Sequence, residues 1–97
     1  MKITVAGYRS PKTEQILLNA ELSAKEFKEK IHIEWKNDPY ALKLDGISRT
    51  PSVFINNKLK ASGRVPSVYE FTTWVVKELE RKILNDRVEK KSPAELI

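Results

Sequence analysis

The hydrophobic pattern at the start of the chain predicts a strand followed by a helix. Residues 2–6 form a short run rich in β-branched side chains, and Gly7 closes it, which is typical of a strand that enters a turn. Ser10 is a preferred helix cap, and Pro11 is well tolerated at the first helical position. Apolar residues then recur at spacings of three and four, as one buried helical face requires: Ile16, Leu17, Ala20, Ala24, Phe27 and Ile31.

Two further patterns overlap the end of this helix. Ser23 and Glu26 have the spacing of a capping box, which leaves open a break near Leu22, although we expect one continuous helix. Beyond it, apolar and polar residues alternate with a period of two, as in a half-buried strand, and this places His32 on the more polar face. The apolar members of that alternation are Ile31, Ile33 and Trp35.

Turn residues divide the middle of the chain. Asp38-Pro39 repeats the cap-and-proline signal, and it predicts a short helix to about Leu44, with Gly46 at its stop. The apolar run at 53–55 predicts a buried strand. Asn56-Asn57 is a turn pair that tolerates positive φ, so we expect a hairpin into a strand over residues 59–62.

The last helix begins with a clear signal. Ser67 and Glu70 form a capping box directly after Pro66. Its inner face is predicted at Val68, Phe71, Val75, Leu79 and Ile83, and the pattern fades near Asn85. Residues 86–97 are charged and interrupted by a proline, so we expect an extension or a frayed tail there.

The predicted order is therefore β-α-β-α-β-β-α. A βαβ unit makes the first two strands parallel, and the short asparagine turn makes the last two antiparallel. The pattern favours an α/β fold with a four-stranded mixed sheet covered by helices. We assign residues 1–85 to one domain and residues 86–97 to a charged C-terminal extension.

Composition removes several kinds of chemistry. The chain of 97 residues has no cysteine, which excludes disulfides, thiolate nucleophiles, iron–sulfur clusters and cysteine zinc sites. With one histidine, His32, we expect no metal and no cofactor. No signal peptide is visible, and no apolar run approaches the roughly 20 residues of a membrane span. We therefore expect a soluble cytoplasmic protein without a membrane partner.

The net charge of +5 is uneven along the chain. No acidic residue lies between Asp45 and Glu70, whereas Arg49, Lys58, Lys60 and Arg64 all fall in that interval. A basic balance of this size can attract acidic partners, anionic ligands or nucleic acid. No helix-turn-helix, RNP or Gly-rich phosphate motif is visible, so nucleic acid is the less favoured partner.

Two segments carry a resemblance to a known family. Residues 46–56 read Gly-Ile-Ser-Arg-Thr-Pro-Ser-Val-Phe-Ile-Asn, and residues 62–67 read Ser-Gly-Arg-Val-Pro-Ser. In these segments, within a match over residues 2–84, the chain resembles the thioredoxin superfamily, most closely its small glutaredoxin-like redox-active disulfide proteins. The resemblance implies a thioredoxin-like fold, a peptide- or thiol-binding groove and a cis Thr50–Pro51 bond.

The resemblance fails at the residues that carry the family's chemistry. Where such proteins have a Cys-x-x-Cys motif, this chain reads Ser10-Pro11-Lys12-Thr13. Dithiol–disulfide exchange needs an attacking thiolate and a second sulfur. We therefore expect no disulfide oxidoreductase activity and assign no catalytic residue.

Ser10 and the aromatic residues each allow two interpretations. Ser10 is explained as a helix cap, and its alternative is a ligand-binding hydroxyl, as in related glutathione transferases that use serine. A nucleophilic Ser10 would need a base, and His32 has no evident orienting partner. Trp35 and Trp74 fit packing better than stacking on bases, whereas Tyr8 lies in the loop before the motif, where it could contact a partner.

A basic set surrounds the degenerate motif and the proline loop formed by Arg49, Thr50 and Pro51. The candidate anion- or partner-binding residues are Tyr8, Arg9, Lys12, Arg49 and Arg64. Guanidinium groups beside a helix start favour anions. In the alternative, Arg9 and Lys12 are solvated charges and Arg64 closes the hairpin onto the last helix.

The sequence thus favours a redox-inactive binding module for a peptide, a partner protein or a small anion such as glutathione. The alternatives are glutathione-dependent transfer through Ser10 and association with nucleic acid.

Overall fold

Four strands and two helices form the described part of the chain. The structure, a computed structural model, describes residues 1–37 and 50–90. The elements are β1 (Lys2–Ala6), α1 (Pro11–Ala24), β2 (His32–Lys36), β3 (Ser52–Ile55), β4 (Lys58–Ser62) and α2 (Val68–Lys90). The short helix predicted from Asp38-Pro39 to about Leu44 lies outside the described residues, as does Gly46.

The strands form one mixed sheet in the order β2-β1-β3-β4. β1 runs parallel to β2 and antiparallel to β3, and β3 runs antiparallel to β4. In the register, Val5 lies opposite Trp35 on one side and Val53 on the other. The predicted four-stranded mixed sheet is confirmed. The β-branched side chains of β1 suit its position between two neighbouring strands.

Both helices pack on one face of this sheet. The apolar core joins inward-facing residues of the strands to one stripe of each helix, and its fully buried members include Ile3, Val5, Ile16, Val53, Ile55, Phe71 and Val75. The Asn19 amide donates to the carbonyl of Pro66 (2.9 Å), and the hydroxyls of Ser23 and Thr72 lie 2.9 Å apart. These two contacts show that α1 and α2 lie side by side and run in the same direction.

α1 passes Leu22 without a break, as expected, but it is shorter than its apolar pattern predicts. It ends at Ala24, with Lys25 as its C-cap, and the amide of Phe27 bonds the carbonyl of Ala24 in a tighter turn. The prediction of a helix through Phe27 and Ile31 is therefore wrong, and the break near Leu22 that the Ser23/Glu26 spacing left open does not occur. Phe27 and Ile31 still pack against the core from outside the helix, while Ser23 is buried against α2.

The hairpin and the start of α2 follow the sequence prediction. Asn56 and Asn57 both have positive φ, at 48° and 69°. The Ser67 hydroxyl accepts a hydrogen bond from the amide of Glu70 at 3.1 Å. α2 does not end near Asn85 but continues to Lys90, because residues 86–90 contain no glycine or proline to stop it. Within the described ranges, neither helix is long and apolar enough to cross a membrane.

Candidate functional site

Three segments meet at the carboxyl end of β1, and Gly7 lies where they touch. A Cβ atom on Gly7 would lie 3.2 Å from Pro51 Cα and 3.2 Å from Thr13 Oγ1. The Gly7 amide donates to the carbonyl of Lys36 (2.9 Å), and the Trp35 indole Nε1 donates to the carbonyl of Gly7 (2.9 Å). A glycine here allows the first turn of α1 and the proline loop to approach β1 closely.

The side chains of Ser10 and Thr13 are joined in a short chain of hydrogen bonds. Ser10 is the N-cap of α1, because its Oγ accepts from the Thr13 amide at 3.1 Å. The Ser10 hydroxyl in turn donates to Thr13 Oγ1 (3.1 Å), and Thr13 Oγ1 donates to the carbonyl of Tyr8 (2.7 Å). The capping role predicted for Ser10 is confirmed, and both hydroxyl protons are directed inward rather than towards solvent.

Pro51 faces this turn from the loop before β3. The Thr50–Pro51 peptide bond is cis, Pro51 is buried, and its carbonyl accepts from the amide of Gly63 at 2.8 Å. Between the turn and the loop lies a cleft of about 270 Å³. Its lining residues are Tyr8, Ser10, Lys12, Thr13, Thr50 and Pro51.

The structure brings only some of the predicted binding residues to this cleft. Lys12 is exposed and makes no ion pair within the described part of the chain, and Tyr8 is 53% exposed. Arg9 and Arg64 do not line the cleft. Arg9 pairs instead with Glu14 (3.2 Å), and Arg64 pairs with Glu70 (2.6 Å). Arg49 lies outside the described residues, so its predicted role as an anion anchor stays a prediction.

The single histidine is not placed to activate Ser10. His32 is exposed and lies opposite Lys2, at the start of β1, whereas Ser10 follows the end of that strand. The two ends of β1, Lys2 and Ala6, are four residue steps apart, which corresponds to about 13 Å. The described residues also contain no group of three or more carboxylates or imidazoles that could hold a metal ion.

The two tryptophans have packing roles. Trp35 fixes the Gly7 carbonyl, and Trp74 makes an edge-to-face contact with Phe71, with ring centroids 5.5 Å apart. The sequence pattern predicts Gly7 as the end of a strand, but it does not indicate that Pro51 and Thr13, which line the cleft, pack closely against this glycine, or that Trp35 holds its carbonyl. The one available signal was a glycine placed three residues before a helix cap.

The mixed sheet, the helix capped directly after β1 and the proline loop beside that cap together define a thioredoxin-like fold. The family model described as Thioredoxin domain matches residues 1–76, which is more than three quarters of the chain. The chain therefore belongs to the thioredoxin domain family, and it is a member without any cysteine. No curated protein matches it.

Proposed function

We propose that this protein is a redox-inactive thioredoxin-fold binding module that takes an acidic peptide segment of a partner protein in the cleft between α1 and the proline loop. The observation that carries the proposal is the lining of that cleft. It combines an exposed aromatic ring at Tyr8, a cation at Lys12 without an ion pair in the described residues, and a pair of hydroxyl side chains. A cytoplasmic location is part of the proposal.

The hydrogen bonds at the helix start favour recognition over chemistry. Ser10 and Thr13 have no sulfur, and each uses its proton in a bond to a neighbouring protein atom. What remains available to a ligand is the ammonium group of Lys12, the helix-start backbone and the face of Tyr8. A carboxylate next to a flexible apolar segment suits this combination, since helix starts and lysine side chains both favour anions.

The alternative of glutathione-dependent transfer through Ser10 gains no support from the site. Such a reaction would need Ser10 to stabilise a ligand thiolate with its proton, but that proton is donated to Thr13. His32 is at the other end of β1 and cannot restore that function as a base. No contact among the described residues favours nucleic acid over an acidic peptide.

A titration followed by amide NMR shifts tests the proposal. The ligands are a flexible peptide rich in Glu and Tyr, the same peptide with Gln in place of Glu, and glutathione. We expect the acidic peptide to shift the amides of Tyr8, Ser10 and Lys12 and the neutral peptide to bind more weakly. Lys12→Gln should weaken binding about threefold to fivefold, because exposed charge pairs contribute up to about 1 kcal/mol.

Lys77→Gln is the matched control, because Lys77 is exposed on α2 away from the cleft and the substitution removes the same charge. The proposal fails if no amide at the cleft moves, or if the two variants weaken binding equally. Equal affinity for a duplex oligonucleotide at the same salt concentration would instead favour the nucleic-acid alternative.

A further inference from the structure

A second and larger cleft lies at the opposite end of the sheet. Its volume is about 430 Å³, and it is lined by Met1, the turn of the β3–β4 hairpin, the loop after α1 and the second half of α2. Glu78, Arg81, Lys82 and Asn85 face it from α2 because they recur at spacings of three and four. We call this cleft the basal groove.

One wall of the basal groove is held in a fixed position by hydrogen bonds. The Asn56 side-chain oxygen accepts from the amide of Lys2 at 2.9 Å, and its amide group donates to Glu78 at 3.5 Å. Glu78 also pairs with Lys58 at 3.6 Å, and the Glu78 side chain is only 12% exposed. A ligand would therefore meet side chains that are already ordered, which lowers the entropic cost of binding.

Two cations of the basal groove, the Met1 ammonium and the Arg81 guanidinium, make no ion pair within the described part of the chain. Glu78 is paired with Lys58, and on the other wall Glu29 is paired with Lys82 at 3.1 Å. Arg81 also lines the groove, and within the described part of the chain it makes no ion pair or hydrogen bond. Both carboxylates are thus neutralised by lysines. The Met1 ammonium donates to the carbonyl of Lys30 (3.4 Å), so the guanidinium of Arg81 is the side-chain charge left to a ligand.

We propose that the basal groove binds a small organic anion whose carboxylate or phosphate group pairs with Arg81. The planar guanidinium offers two parallel N–H donors to either group. Leu79 provides an apolar contact for the carbon skeleton of the ligand, and Asn56 and Asn85 offer amide groups at its sides. The α2 residues of this groove lie beyond residue 76, where the family match ends, whereas its other lining residues lie within the match.

Succinate and inorganic phosphate are the probes, and the amide and Arg81 Nε shifts of the full chain are the measurement. We expect saturable binding in the millimolar range, with shifts at Glu78, Arg81 and Asn85. Arg81→Gln should weaken it about tenfold, since a hydrogen-bonded charge pair is lost. Arg81→Lys keeps the charge but loses the two-pronged geometry, so we expect an intermediate loss.

Lys25→Gln is the matched control, because it removes one exposed positive charge outside the groove. It should change the affinity less than twofold. Binding of succinate alone or of phosphate alone supports the site and identifies the anion class. The proposal is overturned if neither probe gives saturable shifts, or if Arg81→Gln and Lys25→Gln weaken binding equally. Because Arg81 has no internal partner among the described residues, loss of fold is not expected, and circular dichroism of each variant checks this.

Discussion

Ser10 donates a hydrogen bond to Thr13 across 3.1 Å, at the two positions where the sequence resemblance predicts the cysteines of a redox motif. Thr13 is 1% exposed, whereas Ser10 is half-buried at the cleft. The two side chains therefore point towards each other, with Ser10 at the cleft and Thr13 beneath it. Neither carries a sulfur atom that could take part in disulfide exchange.

The protein should not catalyse thiol–disulfide exchange. We expect no reduction of insulin disulfides by dithiothreitol above the rate without protein, because no thiolate is available. A turbidity assay measures the reaction, and a boiled sample is the control. Catalysis that survives repurification and is absent from the boiled sample would contradict this expectation.

Replacing both residues should restore a redox-active pair. In Ser10→Cys/Thr13→Cys, the side chains already point at each other, so mild oxidation should form an intramolecular disulfide. Mass spectrometry after alkylation detects it as loss of both reactive thiols. The single variant Ser10→Cys is the control and should stay alkylated, and a double variant that forms only intermolecular disulfides would contradict the site geometry.

Two buried threonines should respond oppositely to substitution by valine. The hydroxyl of Thr4 is buried with no hydrogen-bond partner among residues 1–37 and 50–90, so Thr4→Val should raise the free energy of unfolding by about 1 kcal/mol. Thr13→Val removes bonds to Ser10 and to the carbonyl of Tyr8, and it should lower that free energy by about 1–3 kcal/mol. Urea denaturation measures both, and equal signs would show that the hydrogen-bond assignment is incorrect.

The sequence predicted those elements whose signals are local. The β-branched run of β1, the cap at Ser10 and the asparagine turn each fix a backbone conformation within a few residues, and the structure has all three. The end of α1 was not predictable in this way. Phe27 and Ile31 continue the helical spacing, but they reach the core from a loop, and only the three-dimensional packing distinguishes these two arrangements.

The candidate site shows the same division between local and distant information. Tyr8, Ser10, Lys12 and Thr13 are close in sequence, so their neighbourhood followed from the motif. The pairing of Arg64 with Glu70 removes that guanidinium from an anion site, and no local pattern distinguishes an arginine that holds a helix start from one that binds a ligand. The basal groove joins residues up to 84 positions apart and had no signal in the sequence.

Gly7→Ala should disturb the cleft and destabilise the domain together. The added methyl group would lie within 3.2–3.3 Å of Pro51 atoms and 3.2 Å of Thr13 Oγ1, so the loop must move. Overpacking of this kind costs about 1–3 kcal/mol. Thermal unfolding gives the stability, and amide shifts at Ser10 and Ser52 report the displacement. If neither the amide shifts nor the thermal stability changes, the proline loop accommodates the methyl group without destabilising the domain, and the prediction is wrong.

Ending the chain after Asn85 should leave the domain folded. The α2 residues that fill the core are Phe71 and Val75, whereas residues 81–85 are exposed. We expect the melting temperature to fall by less than about 4 °C, which corresponds to less than about 1 kcal/mol for a domain of this size. A larger fall would place stabilising contacts in residues 86–97 and would contradict the domain boundary at residue 85.

The position of β1 within the described sheet also decides which backbone amides exchange with deuterium last. β1 and β3 have hydrogen-bonded neighbours on both sides, whereas β2 and β4 have one neighbour each. Amides of the inner strands should exchange only through global opening, and those of the outer strands also through local fraying. Gly7 directly follows the inner strand β1 and packs against Pro51 and Thr13, which line the cleft. The cleft therefore adjoins the part of the protein that we expect to exchange most slowly, and a peptide bound as proposed would contact a surface that seldom opens.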